Sequence, residues 1–155
     1  MAAPTTPILS DLIVPERILE LDATPKIETL RILSEACAQS EQVANGEAFY
    51  QAVLKREAMI STGVGMGIAI PHVKIPEVTD YVAAVGRSRQ GIDFDALDGA
   101  PVHLIFMIGA SDRQTREFVK ILAQVTHLLK SRSTREALLA APIPHSFIEI
   151  VRANS

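Results

Sequence analysis

The segment that decides how this chain folds reads STGVGMGIAIPH and spans residues 61–72. Its glycines, Gly63, Gly65 and Gly67, alternate with larger residues and interrupt any helical pattern. The apolar residues 68–70 that follow predict a short buried strand, and a proline stops that strand one residue before His72. Because helical patterns flank this segment on both sides, the sequence predicts a mixture of helices and strands.

Further strands are predicted on either side of this segment. A brief strand is expected at Arg17–Leu21, and the run Tyr81–Gly86 has the composition of another. Residues Val102–Ile108 follow the turn dipeptide Asp98-Gly99 and are almost wholly apolar, which predicts a strand at the centre of a sheet.

Helices are predicted before and after these strands, each from a recognisable start signal. The expected starts are Thr24-Pro25 with Thr24 as N-cap, Asn45 as N-cap, a position near Asp112, a Ser133/Glu136 capping box and Pro144. Apolar residues at helical spacing, such as those from Phe118 to Leu129, mark the faces that pack inward. The predicted fold class is α/β (α+β), a three-layer-like sandwich with a mixed sheet of about four or five strands flanked by helices.

Length and composition narrow the class of protein. With 155 residues, we expect one domain over 1–155, with residues 1–14 as an arm whose Ile8, Leu9, Leu12 and Ile13 pack on the body. The net charge of −3 and the dispersed basic residues argue against nucleic-acid binding. No apolar run is long enough to cross a bilayer, so no direct membrane insertion is expected. The start of the chain lacks the features of a secretory signal, and the single cysteine, Cys37, predicts a buried thiol in a cytoplasmic protein.

The residue in the 61–72 segment with the most chemical potential is His72. It follows a proline at the end of a buried strand, where side chains often face a crevice, and a neutral imidazole is nucleophilic near neutral pH. The glycine spacing fits neither the phosphate loop of nucleotide hydrolases nor the dinucleotide fingerprint. On residue type and position alone, a functional His72 and a hydrogen-bonded structural histidine are equally good readings.

The same segment resembles the active-site signature of the fructose/mannitol-type IIA domains of the bacterial phosphotransferase system, and it is most similar to their nitrogen-regulatory members. The resemblance extends over nearly the whole chain, from the opening Ile8–Ile18 through Lys55-Arg56-Glu57 to the segments 91–94 and 101–106. It implies that His72 accepts a phosphoryl group from the phosphocarrier HPr or its nitrogen-branch homologue. It also implies that Nε2 is the phosphorylated nitrogen, with a hydrogen bond to Nδ1 as the structural sign.

The phosphoryl transfer that the resemblance implies needs mainly positive charge near His72 and correct positioning of the reacting groups. Arg56, whose family counterpart lies near the phosphorylated histidine, is the expected cation, although a surface helix charge is its plain alternative. Backbone amides from Thr62 to Gly67 can form an anion-binding nest, and the Thr62 hydroxyl either donates to the phosphoryl oxygens or stabilises the loop. We expect no cofactor, and no cluster of residues has metal-ligand spacing.

Departures from the family pattern are also visible. Phe118 stands where the family usually carries a second histidine, Met66 where asparagine is common and Val73 where glycine is common. For His103, His127 and His145, structural or solvated roles are favoured. Losing the second histidine predicts slower phosphorylation or a less stable phosphorylated form. We expect His72 to lie partly exposed in a shallow crevice, beside the Thr62–Gly67 loop and the first turn of the Phe118 helix, with Phe118 making the rim apolar.

Three functions therefore follow from the sequence. The favoured one is a phosphotransferase component that carries a phosphoryl group on His72 and signals to a regulated protein through its phosphorylation state. The second passes the group to a IIB component during sugar uptake, and is less favoured because we expect no attached IIB or permease domain. The third is a non-phosphorylated binding module that docks an apolar face on a partner.

Overall fold

The apolar segment predicted to be central does form the middle strand of the structure. In the computed structural model, which describes residues 7–154, this strand is β6, Val102–Ala110. The other strands are β1 (Ile18–Leu21), β2 (Gly63–Gly65), β3 (Ile68–Ala69), β4 (His72–Lys74) and β5 (Val82–Ile92). The helices are α1 (Leu9–Leu12), α2 (Lys26–Ala38), α3 (Gly46–Met59), α4 (Thr115–Lys130), α5 (Arg132–Ala140) and α6 (His145–Ala153).

The sheet is mixed, as predicted, and it has six strands rather than four or five. The strand order is β1-β5-β6-β3-β2, with β4 pairing farther along the same edge of β6 as β3. The pairs β1–β5, β3–β6 and β4–β6 are parallel, whereas β5–β6 and β2–β3 are antiparallel. The additional strands arise because the 61–72 segment forms a hairpin and then, beyond its proline, a third short strand.

Helices cover both faces of the sheet, so the three-layer sandwich is confirmed. Alternate residues of β6 point to opposite faces: Phe106 and Ile108 join the core with α1, α4, α5 and α6, whereas Met107 joins the core with α2 and α3. This burial on both faces explains why β6 lacks polar alternation. No helix within residues 7–154 is both long and apolar enough to span a bilayer.

Several local predictions are confirmed. Asn45 caps α3, because its side-chain oxygen accepts from the amide of Ala48 at 3.1 Å. The thiol of Cys37 is fully buried, and burial raises its pKa to about 12. Leu9 and Ile13 pack into the core. Residues 1–6 of the predicted arm lie outside the described residues.

Three local predictions are wrong. Helix α2 begins at Lys26 after Pro25 and has no side-chain cap, so Thr24 does not cap it. Helix α5 is capped by Ser131, whose hydroxyl accepts from the amide of Thr134, so the chain's capping serine lies two residues before Ser133. Ile8 is exposed rather than packed on the body, because only the α1 face that carries Leu9 meets the core.

Candidate active site

His72 is the first residue of β4 and lies beside the central strand. Its backbone pairs with Ile108 of β6, directly after the proline that ends the preceding strand. The imidazole is partly buried, and its Nδ1 lies 2.7 Å from the carbonyl oxygen of Ile70. A carbonyl oxygen can only accept a hydrogen bond, so Nδ1 carries the proton and donates it. The lone pair of Nε2 is therefore available as a nucleophile.

A cavity of about 340 Å³ opens beside this imidazole. Three elements wall it: the last turns of α3, strand β4 with the residue after it, and the first turn of α4. Its lining residues are Ala52, Lys55, Arg56, Met59, His72, Val73, Lys74, Ile75 and Phe118. Every charged side chain in that lining is a cation, and the other lining groups are mostly apolar. The cavity therefore favours the binding of an anion.

The surroundings of His72 keep its imidazole neutral. Burial lowers the pKa of His72 below the usual histidine value, and the positive charges of Arg56 and Lys74 act in the same direction. The hydrogen bond to the carbonyl of Ile70 and the carboxylate of Glu57 oppose that shift without reversing it. A neutral ring at neutral pH is the form that can attack an electrophile.

Phe118 packs directly against His72, as the sequence predicts. It lies in the first turn of α4, only 3% exposed, with its ring centroid 5.8 Å from that of His72 and the two planes inclined by 53°. This is the spacing of a packed aromatic pair. The rim of the cavity is thus apolar on its α4 side.

Arg56 lines the same cavity from the last turn of α3. Its Nη1 donates to the carbonyl of Ile60 at 3.0 Å, which closes the C-terminus of the helix. The guanidinium carries five N–H groups. It can therefore donate to this carbonyl and to an anion in the cavity at the same time. Placement and charge therefore agree with the role expected for Arg56.

Comparison with known proteins identifies the family. The family model described as "Phosphoenolpyruvate-dependent sugar phosphotransferase system, EIIA 2" matches residues 14–154. The chain belongs to this family. A nitrogen regulatory protein of Bradyrhizobium diazoefficiens is 33% identical over 134 residues, covering 86% of this chain and 87% of the relative. A fructose-specific EIIABC component of Bacillus subtilis is 32% identical over 136 residues, covering 88% of this chain but only 21% of that longer protein.

Solved structures share the fold. The nitrogen regulatory protein IIA-Ntr of Neisseria meningitidis superimposes with a TM-score of 0.85 at 25% identity, covering 92% of this chain and 98% of the other. The mannitol enzyme IIA of Escherichia coli, in complex with phosphorylated IIB, gives a TM-score of 0.79 at 22% identity, with coverages of 91% and 97%. The architecture of this chain is thus that of the IIA family.

The hydroxyl of Thr62 is committed within the protein. It donates to one carboxylate oxygen of Glu57, while the Thr62 amide donates to the other at 2.9 Å, and the residue is only 3% exposed. The same carboxylate pairs with Lys26 at 2.9 Å, where the cation also lies over the ring of Phe94. Of the two readings that the sequence left open for Thr62, this geometry favours loop stabilisation.

The glycines of the signature do not line the cavity beside His72. The carbonyl of Gly67 accepts from His103 at one end of β6, whereas His72 pairs with Ile108, five residues away, or about 16 Å along an extended strand. Gly63 packs on Ala96, where a Cβ would lie 2.8 Å from the alanine methyl. Gly65 and Gly67 have φ values of 101° and 76°, which the tight β2–β3 hairpin requires.

The two ends of the expected anion nest at residues 62–67 lie differently with respect to His72. Gly67 lies at the far end of β6, whereas the carbonyl of Thr62 accepts from the amide of Ile70 at 3.0 Å, and Ile70 holds the His72 ring. At the Thr62 end, two of the amides are already engaged: that of Thr62 by Glu57, and that of Gly63 by the hydroxyl of Ser61. Within residues 7–154, no three His, Cys, Asp or Glu side chains come together as a metal site would require.

The sequence-based reasoning missed Lys55, Met59 and Lys74. All three line the cavity, and each has a positional signal. Lys74 follows His72 by two residues in the same strand, so both side chains leave the same face of the sheet. Lys55 and Met59 are four residues apart in α3 and are therefore neighbours on the helix surface beside Arg56.

Proposed function

We propose that this chain is a phosphoryl carrier in which Nε2 of His72 accepts a phosphoryl group from HPr or its nitrogen-branch homologue. The observation that carries the proposal is the hydrogen bond from Nδ1 to the carbonyl of Ile70, which leaves Nε2 unprotonated and facing the cation-lined cavity. Membership of the IIA family supports the same reaction. The whole chain would act as one cytoplasmic domain, in keeping with its single buried thiol.

The proposed step transfers phosphorus between two imidazoles. As the P–N bond in the donor's phosphohistidine breaks, its electron pair returns to the donor ring, and the lone pair of His72 Nε2 forms the new P–N bond. The proton stays on His72 Nδ1 during the transfer, and Nδ1 continues to donate it in a hydrogen bond to the carbonyl of Ile70. Such transfers have loose transition states, so alignment and charge stabilisation supply the rate. Arg56 and Lys74 are the cations placed to balance the phosphoryl oxygens.

Signalling through the phosphorylation state is the role that we propose for the product. A relative with high coverage of both chains carries the name nitrogen regulatory protein, and IIA-Ntr shares the fold. Transfer onward to a IIB component is the second candidate, favoured by the fructose-specific relative and by the mannitol IIA structure solved with phosphorylated IIB. Both candidates use the same chemistry at His72 and differ only in what receives or senses the group.

Intact-mass measurement tests the proposal. The purified protein is incubated with phosphoenolpyruvate, Enzyme I and HPr or its nitrogen-branch homologue, and we expect a gain of one phosphoryl group. His72→Ala should abolish that gain completely. His103→Ala is the matched control, because His103 also holds its Nδ1 against a backbone carbonyl, that of Ser88, at 2.8 Å. It should be phosphorylated to the same extent as the unmodified protein.

Two outcomes would overturn the proposal. Phosphorylation that survives in His72→Ala and disappears in His103→Ala would move the acceptor to the other histidine. No mass gain with either donor would instead support the non-phosphorylated binding module. To separate signalling from onward transfer, the phosphorylated protein is mixed with a fructose-type or mannitol-type IIB domain, and loss of the group to that domain would favour sugar uptake.

A further inference from the structure

We propose that Phe118 is a positioning residue that lengthens the lifetime of the phosphoryl group on His72 by keeping the imidazole out of water. This inference rests on the proposed function, and it assigns to Phe118 an effect opposite to the less stable phosphorylated form expected from the sequence. It starts from one contact: the Phe118 ring, 5.8 Å from the His72 ring, is itself almost fully buried.

The phosphoryl group is lost to water in a step governed by the charge of the ring. The water oxygen forms a bond to phosphorus while the P–Nε2 bond breaks, and the electron pair of that bond passes to the imidazole. The protons of the water leave with inorganic phosphate and solvent. If Nδ1 carries a proton, the departing group is a neutral imidazole, which leaves readily. If Nδ1 has lost its proton, the departing group is an imidazolate anion, which leaves poorly.

The lifetime therefore depends on how strongly the site disfavours a cationic ring. The groups around His72 divide into two sets. The Ile70 carbonyl and the Glu57 carboxylate favour the proton, whereas Arg56 and Lys74 oppose it, with Lys55 a further cation in the lining. Helix α4 contributes no charged side chain to the cavity lining; it contributes Phe118. Burial is the largest influence on the pKa of the ring, and Phe118 is the aromatic side chain that packs directly against it.

Phe118 also restricts the orientation of the His72 imidazole. Nδ1 is held by the Ile70 carbonyl on one side, and the tilted Phe118 ring closes another, so Nε2 keeps one direction of approach into the cavity. A polar side chain at position 118 would bring water to the imidazole from α4. Such a change should make the ring easier to protonate and should shorten the lifetime of the phosphorylated form.

The test compares Phe118→Gln with Phe118→Leu, which keeps the site apolar. The proteins are phosphorylated chemically with phosphoramidate, the reagent is removed, and loss of the group is followed by intact mass at neutral pH. The pKa of His72 in each unphosphorylated protein is measured by NMR titration. For Phe118→Gln we expect a rise of about half a unit in that pKa and, with it, a half-life about threefold shorter. Phe118→Leu should stay within about twofold of the unmodified half-life.

Two further variants serve as a control for general core damage and as a replacement if the polar variant does not fold. Phe147→Leu removes an aromatic ring from the same core without touching the cavity, and it should change neither measurement. If Phe118→Gln fails to fold, Phe118→Tyr, which adds a single hydroxyl at the same place, should shift both measurements in the same direction. Unchanged lifetime and pKa in the polar variants, or equal changes in Phe147→Leu, would overturn the inference. If HPr and its nitrogen-branch homologue leave His72 unphosphorylated, the proposed function fails, while the NMR titration still decides whether Phe118 shields the ring from water.

Discussion

A histidine lies at each end of strand β6, His103 within the strand and His72 in the neighbouring strand β4, and the two rings form the same kind of hydrogen bond. Nδ1 of His72 lies 2.7 Å from the carbonyl oxygen of Ile70, and Nδ1 of His103 lies 2.8 Å from that of Ser88. Both imidazoles are partly buried. A free Nε2 lone pair is thus common to both ends of the strand and does not by itself mark a reactive residue.

What differs is the surroundings. His72 faces a cavity walled by apolar groups and cations, with Phe118 against the ring. The ring of His103 fits between two glycines: a Cβ on Gly67 would lie 3.3 Å from it and one on Gly91 only 3.1 Å away. Its cavity, of about 450 Å³, also contains a carboxylate, that of Glu136. The difference teaches that an electropositive and partly dry setting distinguishes a candidate phosphoryl acceptor from a structural histidine.

The largest expected effect, on both stability and phosphorylation, comes from adding one methyl group beside each end of β6. A Cβ on Gly109, beside Ile108, would lie 2.5 Å from the Phe49 ring, so Gly109→Ala pushes α3 outward and carries Arg56 with it. We expect it to lower the free energy of unfolding by about 3 kcal/mol and to slow phosphorylation. Gly67→Ala, at a φ of 76°, should cost about 1–2 kcal/mol and leave phosphorylation unchanged.

Urea unfolding and the rate of mass gain measure the two quantities separately. If Gly67→Ala slows phosphorylation as much as Gly109→Ala does, the proposed difference between the two ends of β6 is wrong. That result would return the Gly67 end of the hairpin to the phosphoryl site, despite the five residues of β6 that separate His103 from Ile108.

A smaller effect is expected from removing one cation at each end. Arg56→Gln should slow phosphoryl transfer to His72 about tenfold, since a hydrogen bond to a charged group is worth about 1.5–3 kcal/mol and solvent weakens it here. Arg89→Gln is the matched control, because Arg89 lines the His103 cavity and is well exposed. Single-turnover rates with a phosphorylated donor give the comparison, and equal losses in the two variants would remove the special role of Arg56.

Much of the His72 end could be predicted from the sequence, because its signals are local. An apolar run without alternation predicts a doubly covered strand, and β6 is one. A proline before His72 predicts a strand end. The resemblance to the IIA family places Phe118 at the start of a helix, and it lies in the first turn of α4, which begins at Thr115 rather than near Asp112. The resemblance to the IIA family then brought His72, Arg56 and Phe118 to one place, and the structure does hold these three around one cavity.

The rest could not be predicted because it depends on register. Nothing in the string GVGMG tells that the strand after it, β3, will pair with Leu104 and Ile105 of β6, a register that brings Gly67 to His103 rather than to His72. Likewise, a threonine beside a glycine gives no sign that its hydroxyl meets Glu57, since that contact depends on where α3 ends. Side chains that face one another across elements are fixed by packing rather than by local pattern.

The smallest expected effect is the dependence of stability on pH, and it follows from the lowered pKa of His72. The folded protein binds a proton on His72 less readily than the unfolded chain, whose histidines titrate near pH 6.5. Between the lowered pKa and that value, unfolding takes up protons, so the stability that the neutral ring contributes is complete above about pH 6.5 and falls as the pH decreases. The free energy of unfolding of the wild type should therefore decline more steeply below that pH than that of His72→Gln. Urea titrations of the two proteins across this range give the difference directly. Parallel curves would mean that the cavity does not disfavour the charged ring, and the contrast between the two ends of β6 would then rest on the placement of Arg56 alone.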